Sequence, residues 1–542
     1  MKNLKRTLAL VLALVMCLGL AACGEKPAQT TAAPSQQETQ KQTQGETTPE
    51  KTTEAVVPKT YKKKIVLGEA NPMTVFDPQA IMDNIHCTLH KLTFNQLIGY
   101  DFETREILPE LAIEWKAEDA STYWFKLRQG VKFSNGEEMT ADDVKYTFID
   151  RVEVTGGAGQ KAVFANVDSV DVINDYEVRI HLKKADSDFL NRMYITNFSI
   201  INREACEADA DKGGEIGTGG WILTEFVGSD HASFKRFDGS WVWGPDGFGE
   251  MNPTEEIEVK YMAEGPSRAA ALQAGTIAAT STIKIADYEA IEDDKNLSLE
   301  RFPAEVLDYL ILNCKNGVCT DKNLRLAIAY ALNIDEVNQL MQGGMGVRAY
   351  TLWSKGQYGY YDDFGDMKLE QNLDKAKEYL AKSAYPNGCD LTIYVTSGFK
   401  SGAELLQAQL KKINVNLKIQ ETDKAGMTTV VEKGEHDAIY MSITLQSIGD
   451  RFHFVCNPKS ATNRALYENP DMLAKFDAAM AEVDDAKRLD LYKQIQIELN
   501  EEKPYIPFFY EALCVGAHKD VEGIQWSVDN KPDYTNIRWP EN

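Results

Sequence analysis

The sequence predicts a mixed α/β body on three observations. Several segments alternate apolar and polar residues, several helical segments carry capping residues, and one helical pattern runs straight into a strand. Lys64 to Leu67 is a short apolar run ahead of a Pro-containing turn and reads as the first strand. Thr140, followed three residues later by Asp143 and then by Val144 and Phe148, marks a helix start. From Tyr176 to Leu182, Val178, Ile180 and Leu182 share one face with polar residues between, and Ile257, Val259 and Tyr261 repeat the pattern. Asp321 precedes Leu324, Ile328 and Leu332 as a second helix start. From Ala403, Leu406, Leu410 and Ile413 fall at helical spacing. Val415, Leu417 and Ile419 follow at once, with Asn416, Lys418 and Gln420 toward water, which makes an αβ unit.

The chain has 542 residues, enough for about three domains. Apolar residues make up 43%, so most of it can bury a core. The formal charge of -24 would repel a phosphate backbone, which argues against nucleic acid as a partner.

Lys2, Lys5 and Arg6 precede an uncharged apolar run from 7 to 22, and Leu20-Ala21-Ala22-Cys23 closes it: a basic region, an apolar core and a small-residue cleavage site. The run is short of the ~20 residues a spanning helix needs, and no later stretch of that length lacks charge, so no membrane span is expected in the body. From Glu25 to Glu54 there is no Leu, Ile, Val, Phe, Tyr or Trp, while Thr occurs eight times and Gln six times. Nothing there offsets the entropy of folding, so residues 23–60 are expected to be a tether, with a reach of roughly 30 Å.

Cys17 lies in the apolar run and Cys23 at its end, leaving Cys87, Cys206, Cys314, Cys319, Cys389, Cys456 and Cys514, an odd number that cannot pair completely. The spacing of Cys314 and Cys319 is too wide for the usual zinc knuckle, so free buried thiols are expected. His86 and His90 stand at i and i+4, as in helical zinc sites, but no acid lies between them and no third ligand is identifiable. Packing is the favoured reading, with a metal-dependent hydrolase as the distant alternative. There is no G-x-S-x-G string and no G-x4-G-K-[ST] loop. The expectation is a protein that is not an enzyme, has no cofactor or metal, and draws on another subunit for energy.

Several strings are not explained by periodicity. They are Asp77-Pro78; Leu108-Pro109-Glu110-Leu111-Ala112 with Trp115; Tyr123 through Phe133; Asn135-Gly136; and Thr140-Ala141-Asp142-Asp143-Val144. Further on come Gly217-Thr218-Gly219-Gly220-Trp221, Arg268 with Ala270 to Gly275, Asn313 with Leu324 to Leu332, and Tyr505-Ile506-Pro507-Phe508-Phe509-Tyr510. Over roughly residues 61 to 525 the chain resembles the family 5 solute-binding proteins, extracytoplasmic receptors of peptide and nickel ABC importers. It departs from the family's G-T-G-P-Y turn at Gly220 and Trp221. Leu20 to Gly24 resembles the bacterial lipobox, in which cleavage precedes a Cys that is then acylated.

The resemblance implies an α/β, two-lobed clamp of the periplasmic-binding-protein kind (type II, cluster C) with an extra subdomain in lobe one. Residues 1–22 are then a lipoprotein signal peptide, and Cys23 is the lipidation site at the head of the tether. Lobe I comprises 61–94, 216–302 and 509–542, its subdomain 95–215, and lobe II 303–508. The implied partners are an ABC permease with its ATPase subunits and a small solute, expected to be a peptide. The receptor would be a monomer held at the outer face of the membrane by its lipid. An oligosaccharide is the alternative cargo, and a peptide-sensing signalling lipoprotein the alternative of another class.

In peptide-binding relatives an Asp shortly after a Trp pairs with the peptide's ammonium. The matching segment here begins at Asp437, and an ungapped match puts Ile443 at the Trp and the uncharged Gln446 at that Asp. Asp450 supplies the charge if the loop is re-registered, and is otherwise a solvated loop acid. Further cleft candidates are Met73, Thr74 and Val75 after the first strand, Trp221 at the glycine turn, Tyr309 before Asn313, and Tyr510 near the return to lobe one. Trp353 and Phe399 come from loops of the second lobe. Aromatic rings offer flat contact area with a polar tip, and each of these serves equally well in a core.

Overall fold

The computed structural model describes residues 59–541 apart from 81–83, 102–103, 105, 156–160, 162, 282, 284, 356, 445–456, 459, 461–462 and 527–530. Strand β1 (Lys64–Glu69) buries Ile65 and Leu67 on either side of the half-buried Val66 and leads to helix α1 (Asn84–Thr93). Four strands follow: β2 (Ala112–Asp119), β3 (Thr122–Leu127), β4 (Val167–Asn174) and β5 (Glu177–Leu182). They form a separate antiparallel sheet in the order β2-β3-β5-β4. Tyr123, Phe125, Val178 and Ile180 line its inner face and join Phe148, Phe189 and Phe198 in a core of its own. The helix start read at Thr140 is there, with the Thr140 amide donating to the Asp143 carboxylate at 2.8 Å.

The chain next lays down β6 (Trp221–Val227), β7 (His231–Arg236), β8 (Glu256–Tyr261) and β9 (Ala279–Thr280) beside β1, in the order β9-β1-β8-β7-β6. A long strand, β10 (Leu297–Leu312), leads to α2 (Lys322–Ala331) and α3 (Ile334–Gln342). The Asp321 side chain accepts from the Leu324 amide and opens α2 as the sequence predicts. Then come β11 (Cys389–Val395), α4 (Lys400–Leu410), β12 (Val415–Glu421) and β13 (Ala438–Thr444). Strands β11 and β12 are parallel with α4 as their crossover, so the αβ unit expected near 403–419 is one half of a βαβ unit. Helices α5 (Pro470–Ala481) and α6 (Asp485–Glu502) precede the last long strand, β14 (Tyr505–His518).

These strands make one continuous sheet in the order β12-β11-β13-β10-β14-β9-β1-β8-β7-β6, with Val347–Arg348 paired to β14 as well. In its second half the two faces of β10 serve two cores. Leu307, Tyr309 and Ile311 pack with Phe476, Tyr492 and Ile495 of α5 and α6, while Leu310 and Leu312 pack with residues of α2, α3 and α4. Each fully buried Leu or Ile contributes about 1.5–3 kcal/mol, which holds each half to its own helices.

Strands β10 and β14 are shared between the halves. Residues 297–303 of β10 pair with 512–518 of β14, and residues 307–311 pair with 505–510. Between the two stretches the register breaks, with Pro303 opposite Ala512 but Leu307 opposite Tyr510, and it shifts again between Asp308 and Tyr309. Such bulges bend the strands and increase their twist, so the ladder changes direction where the halves meet. Among the described residues, no helix is long and apolar enough to cross a membrane.

Candidate functional site

Strand direction fixes where a ligand can be held. In the second half, β13 is antiparallel to β10, with Ala438 opposite Leu312 and Thr444 opposite Val306, so β13 ends at the break. Strand β11 runs parallel to β13, and its carboxyl end at Val395 points the same way. In the first half, β1 is parallel to β9, which pairs Ala279 with Ala517 and Thr280 with Gly516 of β14, so β1 also runs toward the break. The carboxyl ends of parallel strands from both halves therefore converge on one place. In open α/β sheets that is where ligands bind, because the loops leaving the strand ends leave a crevice there.

The loop leaving β1 is anchored at several points. Glu69 accepts the Ser281 hydroxyl at 2.5 Å, the Thr74 amide donates to His86 Nε2 at 3.3 Å, and Arg151 donates to Asp77 at 2.6 Å from a fully buried position. Met73 is buried against Ile65, Leu67 and Trp221, Val75 is half-buried, and Thr74 is exposed. His86 and His90 pack inside, and Phe76 meets His90 edge-on at 5.1 Å.

The loop leaving β11 places Phe399 edge-on to Tyr440 at 5.0 Å, and Tyr440 tilts against Phe508 at 5.2 Å. A Cβ on Gly402 would come within 2.5 Å of the Tyr440 ring, so α4 approaches the sheet closely there. Gln446 and Asp450, which follow β13 in the sequence, lie outside the described residues, as does Cys23.

Four of the residues singled out by sequence come together on one face of the second half: Tyr309, Trp353, Tyr510 and the half-buried Ile443. Tyr309 and Trp353 have no exposed surface and Tyr510 only 4%, and the Tyr510 hydroxyl donates to the Thr351 carbonyl at 3.3 Å. Trp221 is likewise enclosed, its indole N–H donating to the Thr535 carbonyl at 2.9 Å and its ring edge-on to Trp243. These rings are engaged in internal packing, and the Tyr510 and Trp221 tips in internal hydrogen bonds. Among the described members of the set, Phe399, Thr74 and Val75 keep exposed surface on the converging loops.

Two acids outside the set predicted from the sequence sit at the break itself. Asp308 is buried, accepts the Tyr440 hydroxyl at 3.3 Å, and lies beside the half-buried Glu511. Burial, and then the charge of Glu511, raise the Asp308 carboxyl far above the carboxylate range, and burial raises Glu511 as well. The signal in the sequence is an acid inside the apolar string Leu307-Asp308-Tyr309-Leu310-Ile311-Leu312.

A two-lobed α/β body whose strand ends meet at a doubly crossed junction is the architecture of an extracytoplasmic solute-binding clamp. Residues 106–464 match the model of the bacterial extracellular solute-binding proteins, family 5 middle region, and the chain belongs to that family, the substrate-binding components of ABC importers, which are receptors rather than enzymes. It is 25% identical over 486 residues to the dipeptide-binding protein of Escherichia coli, covering 82% of this chain and 88% of that one. The crystal structure of a dipeptide-binding protein from a Pseudoalteromonas species in complex with Met-Leu superposes with a TM-score of 0.70 at 21% identity, covering 88% of this chain and all of the other. NikA from Brucella suis in complex with Fe(III)-EDTA superposes with a TM-score of 0.74 at 24% identity, over 89% of this chain and all of that one.

Proposed function

We propose that this protein is a lipid-anchored receptor that captures a peptide at the junction of its two lobes and delivers it to an ABC permease. The observation that carries the reading is the convergence of the carboxyl ends of β1, β11 and β13 on the break in the β10–β14 ladder. Lobe I would comprise 61–94, 216–302 and 509–542 with the subdomain 95–215, and lobe II 303–508, rotating about the two strands they share. Thr74, Val75 and Phe399 would line the cleft, with Gln446 and Asp450, a few residues beyond β13 in the sequence, as the remaining polar candidates. The dipeptide-binding relatives support peptide as the cargo, and the NikA complex makes a metal chelate the outcome to test against.

Cys23 would carry the lipid, and the Thr- and Gln-rich stretch after it would let a monomeric receptor move over the membrane surface. Native mass spectrometry of the purified protein, before and after unfolding, tests the cargo. A released series of short-peptide masses is expected, whereas a hexose-spaced series or a metal chelate would overturn peptide as the cargo. Replacing Cys23 with Ala is expected to free the protein from the membrane fraction.

A further inference from the structure

Away from the strand crossing, the two halves of the molecule touch a second time. The turn after β5 is built firmly onto the four-stranded sheet. The Asp186 amide donates to the Ala120 carbonyl at 2.7 Å, the Tyr123 hydroxyl donates to the Asp186 carbonyl at 2.6 Å, and Arg192 pairs with the Asp186 carboxylate. At the tip of this turn the Ser187 amide donates to the Met480 carbonyl at 2.8 Å, at the end of α5. Its own carbonyl accepts from Arg488 Nη1 at 3.0 Å, near the start of α6.

Arg488 is fixed on its own side. Its Nε donates to the Tyr358 hydroxyl at 2.8 Å, its Nη2 donates to Asp485 at 2.9 Å, and the guanidinium stacks over the Tyr358 ring at 4.9 Å. The planar fork is thus held ready before the other half arrives, which lowers the entropy lost when it bonds the Ser187 carbonyl.

We propose that Arg488 and the Ser187 turn form a latch that keeps the clamp shut and must open for the lobes to part. The turn belongs to the sheet β2-β3-β5-β4, which is tied to the first half by the Arg151 pair with Asp77 and by the Asn197 side chain bonded to the Pro78 carbonyl. Helices α5 and α6 belong to the core of the second half. Because the crossing strands are one connection and the latch is another, rotation about the strands must break the latch bonds. Two hydrogen bonds, one of them charge-assisted, are strong enough to bias a hinge and few enough to release.

The latch rests on the two-lobed receptor reading for its purpose, and its test needs no cargo, so the two stand or fall separately. Hydrogen exchange of the full-length protein, read by mass spectrometry on fragments spanning 185–190 and 307–312, measures the opening directly. The expected result is exchange of the Ser187 amide well before the β10 amides. In Arg488→Ala the 185–190 fragment should exchange about tenfold faster with the β10 fragment unmoved, since loss of one charge-assisted bond is worth at least that factor. Arg488→Lys, which keeps the charge but not the fork, should fall between. Small-angle scattering of cargo-free Arg488→Ala should show a larger radius of gyration than wild type. Exchange at 185–190 as slow as β10 in the wild type, or unchanged in a variant that melts normally, would overturn the latch.

Discussion

Asp308 and Glu511 place two carboxyls together at the break in the β10–β14 ladder, where the halves of the molecule meet. Burial and mutual repulsion disfavour two charges there, so the native state takes up a proton that the unfolded chain releases near pH 4. A carboxyl raised on folding stabilises the native state most at low pH, and that contribution is lost as pH rises above the unfolded value. Urea unfolding should therefore show the wild type more stable at pH 5 than at pH 8. Asp308→Asn should flatten that slope and gain about 2 kcal/mol over wild type at pH 8. An unchanged slope would mean that the pair is not coupled.

Gly217 and Gly219 form the turn that resembles the family's glycine motif, and both press on backbone. A Cβ on Gly217 would stand 2.1 Å from the Thr93 carbonyl oxygen, and one on Gly219 would stand 2.6 Å from the Leu92 carbonyl oxygen. Neither neighbour can swing away as a side chain would. Gly217→Ala should cost at least ~2 kcal/mol in a thermal or denaturant melt. Asn135→Ala, in the exposed turn where the Asn135 side chain bonds the Glu137 amide and carboxylate, should stay within about 0.5 kcal/mol.

The aromatic candidates divide by environment, and the division is measurable. Trp353 has no exposed surface and fills the core between the sheet and helices α5 and α6, so Trp353→Ala should cost about 3–5 kcal/mol. Phe399 is half-buried on the loop leaving β11. Phe399→Ala should cost less stability and should weaken binding of whatever cargo the native protein releases, read by calorimetry. Equal stability losses with unchanged binding would place Phe399 in the core as well.

Strands that bury one face were legible in the sequence. Val415, Leu417 and Ile419 alternate with exposed residues because β12 is at the edge of the sheet with one face toward α4. The helix starts at Thr140 and Asp321 were equally plain, because a cap is a local bond between residues three apart. The junction was not. β10 and β14 are each a single strand serving both halves, and their register breaks because of partners on distant stretches of chain. Tyr505 to Tyr510 is buried throughout, so it carries no alternation to read. The contact of Arg488 with Ser187 left no trace because it is made to a backbone carbonyl, which every residue has. The cleft aromatics rest on the resemblance alone, because a ring's chemistry is the same in a core as against a ligand.

Asp188 provides a second titration, beside the latch. It is buried one residue from Ser187 and accepts from the Asn191 side chain at 3.0 Å. Burial, and then the neighbouring Asp186 carboxylate, push it up to about 7, against the opposing pull of Arg192, the Asn191 bond and Arg488. Tyr123 from β3 and Tyr492 from α6 are the hydroxyl-bearing neighbours that share its field. A carboxyl raised from about 4 to about 7 binds a proton in the native state that the unfolded chain lacks across that window. Its contribution is therefore full below pH 4 and lost as pH rises through 7. Above pH 7 the turn carries an extra negative charge beside Asp186, whose desolvation cost, larger than the pull of Arg488, falls when the turn leaves α5 and α6, so the contact opens more readily. Fragments spanning 185–190 should exchange faster at pH 8 than at pH 6 after correction for the intrinsic rate, and Asp188→Asn should remove the difference. A corrected rate that does not change with pH in the wild type would show that Asp188 keeps one protonation state throughout.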